Sequence, residues 1–182
     1  NIKKHGLEKN IETRLGNGLE PVLPEECDVV IVAGMGGNLI KDILSSSYEK
    51  SNKAKLLLLQ PNNAPDALRK WLYENGFDIV SENLAYDTGK IYCLISAVST
   101  GKSAKKESFS YYIGEKLLNV ENKKLLKAYL LKKAEELDAV IKGRLMADLN
   151  KERSFEGANE MDTAACIRIR DRLYEILKKM NQ

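Results

Sequence analysis

The sequence predicts an α/β domain with a parallel sheet, followed by an antiparallel helical hairpin. Two observations support this fold class. In residues 1–101 apolar runs alternate with segments of helical spacing, whereas residues 102–182 carry apolar side chains at steps of three or four. The polar segment 99–108 separates these patterns. We therefore predict two domains, 1–101 and 102–182.

The first part contains two near-continuous apolar runs, which are typical of strands buried on both faces of a sheet. These runs are DVVIVAG (28–34) and KLLLLQPN (55–62). A helix-like pattern follows each run, and residues 77–98 then predict two strands around a turn at 87–89. The resulting order is β-α-β-α-β-β, and the segment IETRL (11–15) is also β-prone.

Local signals mark the ends of the two predicted helices. Asn38 and Asn63 are plausible N-cap residues, because their side chains can accept from free backbone N–H groups. Pro65 suits the first turn of the second helix, and Gly76 ends that helix.

The second part predicts two long helices that pack along a heptad-like seam. The segment 150–160, with Gly157, interrupts the pattern, and a short connection makes the helices antiparallel. The first helix is too long to lie against the sheet throughout, so we expect a protruding coiled coil. The seam residues are Leu126, Leu130, Ala134, Leu137, Ile141, Leu145 and Leu149, then Ala165, Ile169, Leu173, Ile176 and Met180.

Composition excludes several classes of protein. No run of 18 apolar residues exists, so no membrane span is predicted. The three cysteines are scattered without C-x-x-C spacing, which favours reduced thiols in the cytoplasm over a disulfide scaffold or a metal site. His5, the only histidine, lies in a polar opening segment, which argues against a Ser-His-Asp triad.

Three glycine- or proline-rich loops are predicted to meet at the carboxyl edge of the sheet. They are LGNGLEP (15–21), AGMGG (33–37) and QPNN (60–63). Open α/β sheets bind ligands at this edge, and glycines let a flat ligand approach the backbone. Alone, each loop is equally consistent with a tight turn, and Asn62 with a helix cap. Neither G-x-G-x-x-G nor a Walker A loop is present.

Two longer stretches, in this order and followed by a helical hairpin, resemble the TrmK family of bacterial tRNA (adenine(22)-N1)-methyltransferases. They are IVAGMGGNLIKDIL (31–44) and LLLLQPNNAPDALRKWLYENGFDIVSENLAYDTGKIY (56–92). The resemblance covers essentially the whole chain. It implies a Rossmann-like class I methyltransferase fold that uses S-adenosyl-L-methionine (SAM), with a C-terminal coiled coil that helps to hold tRNA.

The resemblance also implies roles for individual residues. It assigns the cofactor to Gly16, Asn17, Gly18, Ala33, Gly34 and Met35, and the target adenine to Gly36, Gly37 and Asn62. Asn17 departs from the aspartate that such enzymes often carry in that loop. The family's initial strand and its acidic, glycine-containing loop have no counterpart before residue 11.

This departure predicts an N-terminally truncated member with an incomplete sheet. We expect weak or absent SAM binding and an inactive or impaired enzyme. We also expect an open apolar edge on the 28–34 strand, prone to self-association.

Charge favours the hairpin as the tRNA contact. Residues 1–101 carry 11 basic and 13 acidic side chains, and residues 102–182 carry 18 and 13. Lysine-rich exposed helices are also common for solubility alone. The strongest candidates for phosphate contacts are Lys123, Lys127, Arg168 and Arg172, with Lys124, Lys132, Lys133, Lys142, Arg144 and Arg170 also available.

Two other functions compete with a tRNA methyltransferase. A nicotinamide-dependent oxidoreductase would need the dinucleotide glycine fingerprint, which this sequence lacks. A non-catalytic RNA- or protein-binding fragment with a helical hairpin stays open as the alternative.

Overall fold

A computed structural model describes residues 2–149 and 161–181. Within this part of the chain, a four-stranded sheet precedes a pair of long helices. The strands are β1 (Val29–Met35), β2 (Leu56–Pro61), β3 (Phe77–Asp87) and β4 (Lys90–Ser99). The helices are α1 (Gly37–Ser46), α2 (Tyr48–Lys53), α3 (Pro65–Glu74), α4 (Ser108–Ile113), α5 (Lys123–Leu149) and α6 (Thr163–Lys179). Short 3-10 turns cover Lys3–His5, Pro24–Glu26 and Glu115–Asn119.

The sheet has the order β1-β2-β4-β3 and is mixed, so the prediction of a parallel sheet is confirmed only for the pair β1 and β2. β1 and β2 are parallel, as a β-α-β crossover requires, whereas β4 is antiparallel to both of its neighbours. The predicted turn between the last two strands is confirmed: Thr88 and Gly89 both have positive φ, as a two-residue hairpin turn demands. The predicted element order is confirmed, with α2 as an additional short helix.

One face of the sheet packs against α1 and α3. Val30 and Val32 in β1 are buried in the same core as Leu57 in β2, Leu44 in α1 and Leu68 in α3. Burying each such side chain contributes roughly 1.5–3 kcal/mol to folding. This packing holds the starts of α1 and α3 next to the ends of the strands that precede them.

The predicted strand at 11–15 is wrong. These residues are exposed and form no strand. Arg14 instead donates to Glu12 and Glu26, which ties the segment to the turn at Pro24–Glu26. A strand needs a paired neighbour, and β1 pairs only with β2 among the described residues.

The predicted helix caps are also wrong. Gly36 occupies the N-cap position of α1, so Asn38 lies inside that helix. Ala64 precedes α3 in the left-handed conformation, with φ of 46°, and no side chain caps this helix. Pro65 does stand in the first turn, as predicted. Asn62 and Asn63 are therefore available for other contacts.

Helices α5 and α6 are antiparallel. Lys127 near the start of α5 bonds Asn181 beyond the end of α6, and Arg144 near the end of α5 donates to the carbonyl oxygen of Met161. The predicted seam on α5 is buried from Leu126 to Ile141. Leu145 is half-exposed, so its predicted place in the seam is wrong. The predicted break at 150–160, with Gly157, and the side chain of Leu149 lie outside the described residues.

The helical pair shares a continuous core with the sheet domain. α4 packs against both α3 and α6, and α5 contacts β3. Buried side chains run without interruption from the strands through Phe109 and Leu117 into α5 and α6. The division at 101/102 and coiled-coil geometry for the hairpin stay predictions.

Candidate active site

The tips of β1 and β2 are joined by hydrogen bonds at the carboxyl edge of the sheet. A bulge lies between Ala33 and Met35, so Gly34 has no partner in the β1–β2 ladder. Its φ of 79° is one that glycine adopts without strain. Beyond the bulge, the N–H of Asn62 donates to the Met35 carbonyl oxygen at 2.7 Å. Two of the three predicted loops therefore meet as expected.

Gln60 connects the bulge to Asn62. Its Oε1 accepts from the N–H of Gly34 at 2.8 Å, and its Nε2 donates to Oδ1 of Asn62 at 3.0 Å. The glutamine thus satisfies the donor that the bulge would leave unpaired. Sequence analysis placed Gln60 at the strand tip but gave it no role, because a bulge cannot be seen in an apolar run.

The glycines of the 33–37 loop face different surroundings. A Cβ on Gly37 would collide with the carbonyl oxygen of Ala64, and its N–H donates to the Asn63 carbonyl oxygen at 2.9 Å. A Cβ on Gly36 would meet the side chain of Asn63, whose oxygen would be 2.8 Å away. A Cβ on Gly34 would have no neighbour within 4 Å. Gly34 therefore borders open space, whereas Gly37 allows the two loops to touch.

The third loop contacts the flank of the first two helices. Gly18, with φ of 56°, lies against the side chain of Ile43 in α1, and Gly16 lies against Pro21. Lys50 in α2 donates to the carbonyl oxygens of Leu19 and Glu20. Asn17, between the two glycines, is exposed.

The predicted RNA-binding cations differ in how far they are engaged within the protein. Lys123 donates to the carbonyl oxygen of Leu118, and Lys127 to Asn181. Arg172 stacks on the ring of Phe109 at 3.9 Å from the ring centroid. Arg168 is exposed and has no hydrogen bond or ion pair among the described residues.

A groove of about 540 Å³ lies between the sheet domain and the start of α6. On the sheet side it is lined by Asn38 and Lys41 of α1 and by Asp66 in the first turn of α3. Aromatic side chains form part of its wall, and Arg168 lies on its α6 side. Its remaining lining residues include Trp71, Tyr111, Tyr112 and Met161.

A buried polar cluster lies behind the site, and sequence analysis missed it. Arg69, on the apolar side of α3, donates to Glu82 in β3, to the sulfur of Cys93 in β4 and to the Tyr111 carbonyl oxygen. Burial raises the pKa of the Cys93 thiol to about 11. Burial also raises the pKa of the Glu82 carboxyl, and the Arg69 guanidinium opposes that rise. The only signal in the sequence was an arginine next to Leu68 on a helix face.

In the two described ranges, no group of three His, Cys, Asp or Glu side chains is arranged to hold a metal ion. Those ranges also contain no helix that is both long and apolar enough to cross a membrane. The three cysteines are buried free thiols.

Comparison with known proteins gives a consistent result. The family model described as tRNA (adenine(22)-N(1))-methyltransferase, TrmK, matches residues 1–164. The tRNA (adenine(22)-N(1))-methyltransferase of Bacillus subtilis strain 168 is 29% identical over 167 residues, which are 88% of this chain and 70% of that protein.

Solved structures agree. The structure of the B. subtilis m1A22 tRNA methyltransferase TrmK has a TM-score of 0.71 at 26% identity. The match covers 100% of this chain and 74% of the B. subtilis chain. Streptococcus pneumoniae Sp1610, a putative tRNA (m1A22) methyltransferase solved with S-adenosyl-L-methionine, has a TM-score of 0.74 at 28% identity. The match covers 94% of this chain and 72% of the Sp1610 chain. The predicted Rossmann-like methyltransferase fold is thereby confirmed.

Proposed function

The chain belongs to the TrmK family of SAM-dependent tRNA (adenine(22)-N(1))-methyltransferases, and from this premise we propose that it methylates N1 of adenine 22 in tRNA. The observation that carries the proposal is the pair of joined strand tips. There the exposed amide of Asn62 stands beside Gly34, whose surroundings are open. This arrangement supports a flat base lying next to a methyl donor.

The residues at the tips fit the cofactor. No atom lies within 4 Å of the position that a Cβ of Gly34 would take, which leaves room for a ligand against the backbone of Ala33, Gly34 and Met35 on that side. The loop of Gly16, Asn17 and Gly18 would hold its adenine. When bound, SAM supplies an electrophilic methyl group, whose transfer leaves the positive charge on the adenine ring.

Methyl transfer to adenine N1 needs little general acid or base catalysis by the protein. Adenine N1 has a lone pair in the ring plane and no proton to lose, so positioning and water exclusion supply most of the rate. The N1 atom lies on the pairing edge, so the base must be unpaired or flipped out. Asn62 holds the adenine, while Gly36 and Gly37 let the loop that carries Asn62 lie close against the tip of β1.

The hairpin and the groove beside it form the tRNA-binding surface. We assign phosphate contacts to Lys123, Lys127, Arg168 and Arg172. Arg168 is the best placed of these, because it lines the groove together with residues from the starts of α1 and α3 and has no partner among the described residues. The groove's aromatic wall supplies surfaces on which unpaired bases stack.

Methylation of tRNA tests this function. Unmodified tRNA is incubated with the protein and SAM, and reverse transcription is read at position 22, where N1-methyladenine blocks base pairing. We expect a stop at that position, and none with a tRNA carrying guanine there. A stop in neither tRNA, with saturating SAM, would contradict the proposal.

The affinity for SAM is a separate expectation. Asn17 offers the cofactor's adenine a neutral amide in a loop where such enzymes often carry aspartate, and a carboxylate would be the stronger acceptor. We expect a dissociation constant weaker than micromolar, measured by calorimetry, so the methylation assay needs SAM at millimolar concentration. A micromolar constant would contradict this expectation.

A non-catalytic RNA-binding role is the second candidate, favoured by the basic hairpin. Filter binding with tRNA at two salt concentrations separates it from protein binding, since phosphate contacts weaken with salt. Salt-dependent binding without a stop at position 22 would favour this role over methylation.

We also propose a cytoplasmic location, in keeping with the free thiols.

We further propose that the protein self-associates through β1. Among the described residues β1 is an edge strand, with Val29 and Ile31 about half and two-thirds exposed. Sedimentation velocity should show a concentration-dependent dimer that Ile31→Lys abolishes. A monomer at every concentration contradicts the pairing.

A further inference from the structure

The amide of Gln60 has its orientation fixed by the backbone. The N–H of Gly34 is a donor and cannot accept, so the Gln60 atom that lies 2.8 Å from it must be Oε1. The Nε2 atom of Gln60 is then directed at Asn62, 3.0 Å from its side chain. Gln60 itself is half-buried between the two strand tips, and Asn62 is exposed.

The orientation of Gln60 fixes that of Asn62 in turn. Because Nε2 of Gln60 only donates, Asn62 must direct its Oδ1 at it. One lone pair of that oxygen stays available, together with both protons of the Asn62 Nδ2. The exposed end of Asn62 therefore presents one acceptor next to one donor.

Adenine matches an acceptor–donor pair on two of its edges. On the Watson–Crick edge the amide would accept from the N6 amino group and donate to N1. That contact would occupy the N1 lone pair, which must be free to form the new bond to carbon. On the Hoogsteen edge the amide accepts from N6 and donates to N7, which is a common way for asparagine to bind adenine.

Given the proposed function, we propose that Asn62 binds the target adenine through N6 and N7, and that Gln60 is the positioning residue that orients it. N1 is then left free on the opposite side of the amino group. Guanine presents an O6 acceptor in place of the N6 donor, so the same contact rejects guanine.

Replacing adenine 22 with 7-deazaadenine tests the edge directly. The analogue keeps N1 and N6 but has a C–H group in place of N7. We expect kcat/KM to fall about tenfold for the wild-type protein, the effect of one lost hydrogen bond. Equal kcat/KM for the two tRNAs, with normal methylation of adenine, overturns the inference while the proposed function stands.

Asn62→Asp provides the matched variant. A carboxylate still accepts from Gln60 and from N6 but has no proton for N7. We expect this variant to use adenine and 7-deazaadenine equally, at a reduced rate. Discrimination that persists in Asn62→Asp would show that another group contacts N7 and would overturn the assignment.

Gln60→Glu tests the positioning role. The glutamate keeps an acceptor for the Gly34 N–H but replaces the donor to Asn62 with an oxygen. The Asn62 amide must then rotate by about half a turn, so that its Nδ2 rather than its Oδ1 faces residue 60. We expect kcat to fall at least tenfold with little change in KM for tRNA, since the phosphate contacts are untouched. An unchanged kcat overturns the role of Gln60.

A measurement on the unliganded protein keeps this inference separate from the activity. In amide hydrogen-exchange NMR the Gln60 Nε2 protons should exchange more slowly than those of an exposed glutamine. The Asn62→Ala variant should remove this protection. Unprotected Gln60 protons in the wild type contradict the hydrogen bond from Gln60 to Asn62, whether or not the protein methylates tRNA.

Discussion

The Nε atom of Arg69 lies 2.7 Å from Oε1 of Glu82, and the two side chains are 0% and 1% exposed. This ion pair joins α3, which begins just after the strand tip at Asn62, to β3 across the core. Arg69 also holds α4 through the carbonyl oxygens of Tyr111 and Tyr112. One side chain therefore connects the helix that follows the carboxyl edge of the sheet with the helices that lead to the hairpin.

Arg69→Met should lower the free energy of unfolding by about 3–5 kcal/mol, because it leaves a buried carboxylate without a cation. The second oxygen of Glu82 already has no hydrogen-bond partner in the part of the chain that the structure describes. Urea denaturation measures the change. The double variant Arg69→Met/Glu82→Met should recover most of it, and a loss below about 1 kcal/mol in the single variant would contradict the prediction.

Gly37→Ala should destabilise the protein by about 2–3 kcal/mol, because a Cβ there meets the backbone carbonyl of Ala64. Gly36→Ala is the matched control. Its Cβ meets the side-chain oxygen of Asn63 at 2.8 Å, and that side chain can rotate away. Thermal unfolding of both variants gives the comparison. Equal losses would mean that the two loops do not approach each other as described.

The sequence predicted the strands and helices that apolar patterns specify. The runs at 28–34 and 55–62 became β1 and β2, as predicted. The prediction that β1 is buried on both faces is wrong, because Val29 and Ile31 on one face are exposed while Val30 and Val32 on the other are buried. The segment 11–15 has strand propensity but no partner strand, and propensity alone forms no sheet. Leu145 continues the heptad spacing in sequence, but it is half-exposed, so spacing alone did not place it in the core.

Contacts between distant segments could not be predicted. Asn38 and Asn63 have the chemistry of N-caps, but Gly36 and a left-handed Ala64 occupy those positions. The bulge at Gly34 and its pairing with Gln60 depend on the register of two strands. Arg69 reads as a surface charge until the carboxylate of Glu82, 13 residues away, is placed beside it.

Asn62→Ala should reduce the rate of tRNA methylation about 100-fold while changing the free energy of unfolding by less than about 0.5 kcal/mol. The side chain is exposed and caps no helix, so little stability depends on it. Single-turnover methylation and urea denaturation measure the two effects. Asn83→Ala, also exposed but on β3, is the control and should change neither. Normal turnover by Asn62→Ala would defeat the assignment.

The pKa of Glu26 is lowered to about 2 from an ordinary value of 4.5, because Arg14 and the N–H of Leu23 both donate to the carboxylate. A lowered pKa means that the folded segment favours the ionised form. The stabilisation is complete above pH 4.5 and is lost as the pH falls from 4.5 through 2. NMR titration of the Glu26 carboxyl should give the low value, and Arg14→Gln should return it towards 4.5. A wild-type pKa near 4.5 would contradict the pairing.

Arg168→Ala and Arg172→Ala should affect tRNA binding differently. Arg168 lines the groove between α1, α3 and α6 and has no partner among the described residues, so its guanidinium is free to contact a phosphate. Arg172 already stacks on Phe109 and lies 3.4 Å from a carboxylate oxygen of Glu107. Losing a phosphate contact reduces the salt dependence of binding by about one unit in the plot of log K against log salt.

We therefore expect Arg168→Ala to weaken tRNA binding and flatten that plot by about one unit. Arg172→Ala should leave the slope nearly unchanged and lower stability instead, by roughly 0.5–2 kcal/mol for the lost contact with Phe109. Filter binding between 50 and 200 mM salt and thermal unfolding of each variant measure these effects. A flatter slope in Arg172→Ala than in Arg168→Ala would place the RNA backbone on the Phe109 side of α6 and away from the groove.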